Sequence, residues 1–289
     1  MRVLGVDPAA NVVSEVKDIE TICDFFNAKL GKEIREKYGP AKAICAYNVC
    51  AHIDDLVGVV EGVRSLLADD GQFVFEVGYL FDVYTKTLFD TIYHEHLDFH
   101  HVEPFKKFFP SMDLKLLHVE HSDIQGGALI GYVGSMDAKA DSTVEEFIAK
   151  EHTVGLHVSD TFLDWDDMIR HKGQELMLLL RQLKEKGRSI VAYGATAKST
   201  TLMYHYGLNS LVIDYIVDDN PLKQGMFTPG LHIPVVSAEA LYEKKPDYVL
   251  MLAWNFAESI IDKHKFYAGD DSRFIVPLPE LTVIEKGKS

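Results

Sequence analysis

The sequence predicts an α/β protein with two sheets, and three observations predict it. Short apolar runs alternate with helix-length stretches in both halves of the chain. Between them lies a long stretch with apolar residues near a 3.6-residue period. At 289 residues and about 150 residues per domain, there is room for two cores.

Taken in order, the first strand is Val3 to Val6, which ends in Asp7-Pro8. A second apolar run, Ala43 to Tyr47, is followed by a helix with Asp54 or Asp55 as N-cap. Leu56, Val60, Val63 and Leu67 share one of its faces, and Gly71 lies past its end. Strand, loop and helix make a βα unit. Phe73 to Val77 is the next strand, and Leu114 to Val119 and Ala128 to Val133, joined through Ser122 to Gly127, read as an antiparallel hairpin. From about Ser142 to Lys186 the pattern is helical, carried by Phe147, Phe162, Trp165, Ile169 and the Leu176 to Leu183 series. Gly187 ends that stretch. Strands at Ser189 to Tyr193, Leu211 to Val217, Tyr248 to Ala253 and Phe274 to Val276 then alternate with crossover-length segments, which implies a second parallel sheet. The expected divisions are a first domain over 1–141, a helical connector over 142–186 and a second domain over 187–289.

A hydrophobic fraction of 47% with 25% charged residues is that of a folded globular chain. The net charge of −15 works against binding nucleic acid or an anionic membrane surface. No segment reaches the roughly 18 to 20 apolar residues of a membrane span, and the start MRVLGVDPAA lacks a signal-like pattern, so a cytoplasmic location is expected. Cys23, Cys45 and Cys50 are too few for a disulfide framework and read as small buried apolar residues.

The densest chemistry lies in Tyr93-His94-Glu95-His96-Leu97-Asp98-Phe99-His100-His101. His94 and His96 would share a face of an extended segment as metal ligands, but a third and fourth ligand are not evident. One imidazole could instead act as a general base, with Glu95 and Tyr93 orienting or polarising, and packing histidines remain a further reading. A second segment, Asn48-Val49-Cys50-Ala51-His52, follows a strand, where α/β folds place ligand-binding loops. Tyr193-Gly194-Ala195-Thr196-Ala197-Lys198 also follows a strand and opens a helix, so its amides could receive a phosphate, although its spacing is neither a P-loop nor GxGxxG.

Together these segments resemble the nucleotide-sugar C-methyltransferases. The resemblance runs through Asn48 to Ile53, Phe75 to Val77, Ile92 to Leu97 and Gly126-Gly127. It continues through Tyr193 to Lys198, Asp218 to Gly225, Pro229 to Pro234 and Ala253 to Asn255. It implies a Rossmann-like class I methyltransferase domain, a helical connector and a second Rossmann-like domain that anchors the nucleotide of a keto-deoxysugar. It further implies S-adenosylmethionine as methyl donor and His96 as the base that forms an enolate. Tyr93 and His52 would be donors to the keto oxygen, and Glu95 an orienting group. Asp7 and Asn48 would lie near the cofactor, and Gly194, Lys198, Asn220 and Lys223 near the nucleotide.

The chain departs from that pattern in two ways. The resembled family carries a central strand with a Gly-rich cofactor loop between the strands represented by Val3 to Val6 and Ala43 to Tyr47, and a cysteine-rich zinc module ahead of them. Neither is present, so the first domain is expected to be incomplete, with those two strands facing a gap or pairing directly. A truncated form of the enzyme is the favoured expectation. The alternatives are a nucleotide-sugar-binding protein without methyl transfer and a metal enzyme built on the histidine cluster.

Overall fold

A computed structural model describes residues 2–267, 271 and 273–285. These form two compact units, one of residues 2–80 and 97–155 and the other of residues 81–96 and 156–285. The chain thus passes between units at 80/81, 96/97 and 155/156.

In the first unit, β1 (Leu4–Val6) pairs in parallel with β2 (Glu20–Ile22), with the short helix α1 (Ala10–Glu15) between them. Helix α2 (Ala28–Tyr38) starts at Asn27, whose side chain accepts the Lys29 and Leu30 amides. A four-stranded sheet follows, in the order β3-β4-β6-β5, built from β3 (Ala41–Tyr47), β4 (Leu67–Gly78), β5 (Leu114–Ser122) and β6 (Ala128–Ser135). β3 and β4 are parallel and the β5–β6 hairpin is antiparallel. Helix α3 (Leu56–Leu66) connects β3 to β4, and its N-cap is Asp55, which accepts the Gly58 amide.

Gly71 does not end that helix. The chain turns extended at Leu67, and Gly71 lies inside β4 where the β3–β4 register shifts. Helices α2 and α3 approach so closely that a Cβ on Gly31 would stand 2.5 Å from the Gly62 carbonyl oxygen. Leu30, Ile34 and Leu66 form the core there, with Leu4, Val6, Ile22 and Ile44 packed on them. Phe75, Phe105 and Phe109 pack ring against ring, Phe105 coming from α5 (Val102–Phe108).

β1 and β3 do not pair, and β3 carries no strand on its outer edge among the described residues. Of the two arrangements expected for these strands, direct pairing is therefore not the one observed. Cys45 on that open strand and Cys23 are both exposed, correcting the reading of all three cysteines as buried. Cys50 alone is buried, and burial pushes its thiol up to about 12.

Helix α6 (Thr143–Thr153) belongs to the first unit and the 27-residue α7 (Ser159–Glu185) to the second. α7 buries Trp165, Ile169, Gly173, Leu176, Leu180 and Leu183, one stripe at spacings of three and four. Tyr84 of α4 (Leu80–Thr85) packs its ring on Trp165.

The second unit contains β7 (Ile190–Tyr193), α8 (Ala197–Tyr206), β8 (Ile216–Val217), β9 (Val235–Val236), α9 (Glu239–Lys244), β10 (Tyr248–Met251), α10 (Ala257–His264), β11 (Arg273–Val276) and β12 (Thr282–Glu285). Its sheet runs β9-β8-β7-β10-β11-β12, parallel except for β12. Counted within the unit, the order is 3-2-1-4-5-6, the doubly wound dinucleotide-binding order. The strand expected over Leu211 to Val217 is shortened to Ile216–Val217. Asn209 draws the Leu211, Val212 and Ile213 amides into a turn, and that turn takes the residues ahead of Ile216 out of the sheet.

Candidate active site

The strand order of the second unit places a topological switch point between β7 and β10, and ligands of open α/β sheets bind at the carboxyl ends of the strands flanking such a point. The loops leaving these two strands are bonded together. The Tyr193 carbonyl accepts both the Leu252 and Ala253 amides, at 3.0 and 3.1 Å. Gly194 has φ +102°, and a Cβ there would stand 2.6 Å from the Ala253 Cβ. Only glycine meets both demands.

Helix α8 begins in this crevice. Thr196 and Ser199 form a reciprocal capping box, and the Ala195 amide is given to Asp218 Oδ2 at 2.8 Å. The Ala197 and Lys198 amides, at the first two helical positions, have no acceptor among the described residues, and they are the donors left for an anion. Asn220 and Lys223 lie on the loop after β8. Lys223 Nζ donates to the Ala195 carbonyl at 2.8 Å, and Asn220 caps its own turn through the Leu222 amide. These four residues, Gly194, Lys198, Asn220 and Lys223, thus surround the carboxyl ends of β7 and β8, with much of the hydrogen bonding of Asn220 and Lys223 spent on shaping the loop.

The histidine-bearing segment belongs to the same unit as far as His96. It begins with a one-turn 3₁₀ helix, Phe89–Thr91, packed on α8 by the Phe89 ring, 5.3 Å from that of Tyr206. Thr201 of α8 donates to the Ile92 carbonyl at 3.3 Å. His96 Nδ1 lies 2.7 Å from the Thr91 carbonyl oxygen, and the Tyr93 and His96 rings are 4.5 Å apart. A carbonyl only accepts, so Nδ1 carries the proton and Nε2 holds the lone pair of the neutral ring. Partial burial raises the Tyr93 phenol, with the Glu95 and Asp90 charges adding to it, so it is a protonated donor at neutral pH. His94 and Glu95 are exposed and face each other at 4.0 Å.

Sequence reasoning missed Asp90 and Trp254. Asp90 is 1% exposed, accepts the Trp254 indole N–H at 2.8 Å, and is pushed up to about 6 by burial, against the opposing effects of Trp254 and Lys198. The available signal was an acidic residue flanked by Leu88, Phe89 and Ile92, since an aspartate in an apolar run is seldom left unpartnered.

In the first unit, Asn48 follows β3 with φ 54°, and its side chain and amide both donate to Glu76 at the end of β4, each at 3.0 Å. His52 lies on the next turn, Cys50–His52. The carbonyl of its neighbour Ala51 accepts the amide of Leu97, the first residue after the histidine segment enters this unit. Asp7 follows β1; its Oδ1 accepts the Ala9 amide at 2.8 Å, and Oδ2 has no partner among the described residues. Asp7 and Asn48 both stand at the carboxyl ends of strands in parallel pairs, and the acceptor left on Asp7 suits a ribose hydroxyl. The residues present therefore fit part of an adenosine site.

Residues 123–279 match the family described as "C-methyltransferase C-terminal domain". C-methyltransferase NovU of Streptomyces niveus is 36% identical over 287 residues, covering 98% of this chain and 68% of that protein. Among solved structures, a SAM-dependent methyltransferase of Anabaena variabilis aligns over 46% of this chain and 68% of its own, at 15% identity and TM-score 0.37. The N-methyltransferase NodS of Bradyrhizobium japonicum aligns over 46% and 73%, at 11% identity and TM-score 0.31. By the family match and the extent of the NovU likeness, the chain belongs to the C-methyltransferase family, enzymes that take their methyl group from S-adenosylmethionine.

Proposed function

We propose that this chain methylates a ring carbon beside the keto group of a nucleotide-linked deoxysugar, with His96 as the base. The observation that carries the reading is the 2.7 Å contact of His96 Nδ1 with the Thr91 carbonyl, because it leaves Nε2 as the proton acceptor. A carbon nucleophile is needed, and removing the proton beside a ketone supplies one. The C–H electron pair moves into the enolate as the proton passes to Nε2, and negative charge collects on the keto oxygen. The Tyr93 phenol, held protonated, is the donor to that oxygen, and His52 is assigned the same role. Glu95 is assigned to orient the segment. S-adenosylmethionine supplies an electrophilic methyl group on a sulfonium, and Asp7 and Asn48 are the residues assigned to hold it.

The 3-2-1-4-5-6 order and the open Ala197 and Lys198 amides support the second unit as the anchor of the nucleotide diphosphate. Lys198 adds a cation there, so a chain of net charge −15 can still take an anionic ligand locally.

The test is exchange of the proton beside the ketone. A nucleotide-linked keto-sugar deuterated at that carbon should lose deuterium to water in the presence of the chain, without any methyl donor. His96→Gln should abolish both this exchange and methyl transfer while the substrate still binds. Exchange persisting in His96→Gln would remove His96 as the base, and binding without exchange by the unaltered chain would favour a pure nucleotide-sugar-binding role.

A further inference from the structure

We propose that Asp90 is a positioning residue for the catalytic histidine: its hydrogen bond from Trp254 fixes the turn whose Thr91 carbonyl selects the tautomer and direction of His96. This rests on the reading of His96 as the base.

Asp90 occupies the middle of the one-turn helix Phe89–Thr91, and its bond to Trp254 joins that turn to the loop after β10, at the switch point. The two residues are 164 positions apart in sequence and both are buried. The turn is then closed locally. Thr91 N–H and Oγ1 both donate to the Leu88 carbonyl, at 3.0 and 2.7 Å, and the Ile92 amide bonds the Phe89 carbonyl at 3.0 Å. The Thr91 carbonyl accepts the Tyr93 amide at 3.1 Å and His96 Nδ1 at 2.7 Å. One rigid turn therefore separates the Asp90 carboxyl from the atom that orients the imidazole.

A buried acid costs stability when ionised, and Asp90 Oδ1 is buried without a partner among the described residues. Holding the indole N–H needs only an acceptor in the place of Oδ2, which an asparagine of the same shape also offers. Residues kept in an unfavourable buried state cluster where function constrains them. The turn is tied both to the loop after β10, through Trp254, and to α8, through the Thr201 hydroxyl on the Ile92 carbonyl and the Phe89–Tyr206 ring contact.

The experiment uses the whole chain, with ring-nitrogen NMR at about pH 8, above the ordinary imidazole range. The His96 signals are assigned by their loss in His96→Gln. The unaltered chain should show the Nδ1–H tautomer alone. Trp254→Phe, which keeps an aromatic ring but loses the donor, and Asp90→Ala should both show mixed tautomers. Their kcat for methyl transfer should fall by about 10- to 100-fold with KM for the nucleotide-linked substrate changed less than about threefold. Asp90→Asn, which can still accept the indole N–H, should keep the Nδ1–H tautomer and restore kcat to within a few-fold.

A pure Nδ1–H tautomer with undiminished kcat in Trp254→Phe overturns the proposal, and this variant decides alone if Asp90→Ala does not fold. Asp90→Asn behaving like Asp90→Ala also overturns it. The ring spectra need no turnover. A failure of His96 as the base would appear as activity surviving in His96→Gln, whatever the tautomer does in the other variants.

Discussion

The Trp254 indole donates its N–H to the Asp90 carboxylate at 2.8 Å, joining the loop after β10 to the turn that opens the histidine segment. The carboxyl is buried and pushed up to about 6, chiefly by desolvation. Its folded value lies above its unfolded one, so its contribution is most favourable below about pH 4 and is lost as pH rises through 6. Asp90→Asn escapes that loss. The variant should unfold at higher urea than the parent near pH 7.5, by up to ~3 kcal/mol, with the difference vanishing near pH 4. Equal midpoints at pH 7.5 would show that the buried charge costs nothing.

Glu151 of α6 is fully buried and accepts from three donors: the Tyr79 hydroxyl, the Val102 amide and the Glu103 amide, at 3.0, 2.7 and 3.2 Å. It holds the start of α5 and a core tyrosine together within the first unit. Glu151→Ala should destabilise the chain by ~3 kcal/mol or more, because three buried donors lose their acceptor. Thermal unfolding measures this, and a shift below about 2 °C would refute it.

At Gly194 a substitution meets both a left-handed backbone and the Ala253 methyl. Gly194→Ala should cost ~2 kcal/mol and weaken binding of a nucleoside diphosphate, since the two switch-point loops must separate. Calorimetry reads the affinity. Unchanged binding would place the nucleotide away from this crevice.

For Lys198 the expectation is electrostatic. Lys198→Met should lower nucleoside diphosphate affinity about tenfold at low salt and reduce its dependence on ionic strength. An unaltered salt dependence would exclude it as a phosphate contact.

Much of this was legible in the residues. The alternation of apolar runs and helical stretches pointed to the larger sheet of each unit, to an N-cap at Asp54 or Asp55, which the structure settles as Asp55, and to the β5–β6 hairpin, because side-chain period and turn chemistry are local properties. The segments that carry the resemblance, Tyr93 to His96 among them, pointed to the C-methyltransferase family, and direct pairing of β1 with β3, one of the two arrangements expected there, is not the one observed. What local pattern did not carry was the end of the helix before Gly71, the turn replacing Leu211 to Ile213, and the exposure of Cys23 and Cys45. Register and burial there depend on which other segments lie alongside.

The same holds at the site. That His96 is a histidine is written in the sequence. That its Nδ1 faces the Thr91 carbonyl, and that Asp90 is bonded to Trp254, arises only when the chain folds and brings residues 164 positions apart into contact. Residue type supplies an imidazole, but its tautomer and direction, and the raised Asp90 carboxyl, follow from hydrogen bonds and desolvation that exist only in the packed molecule.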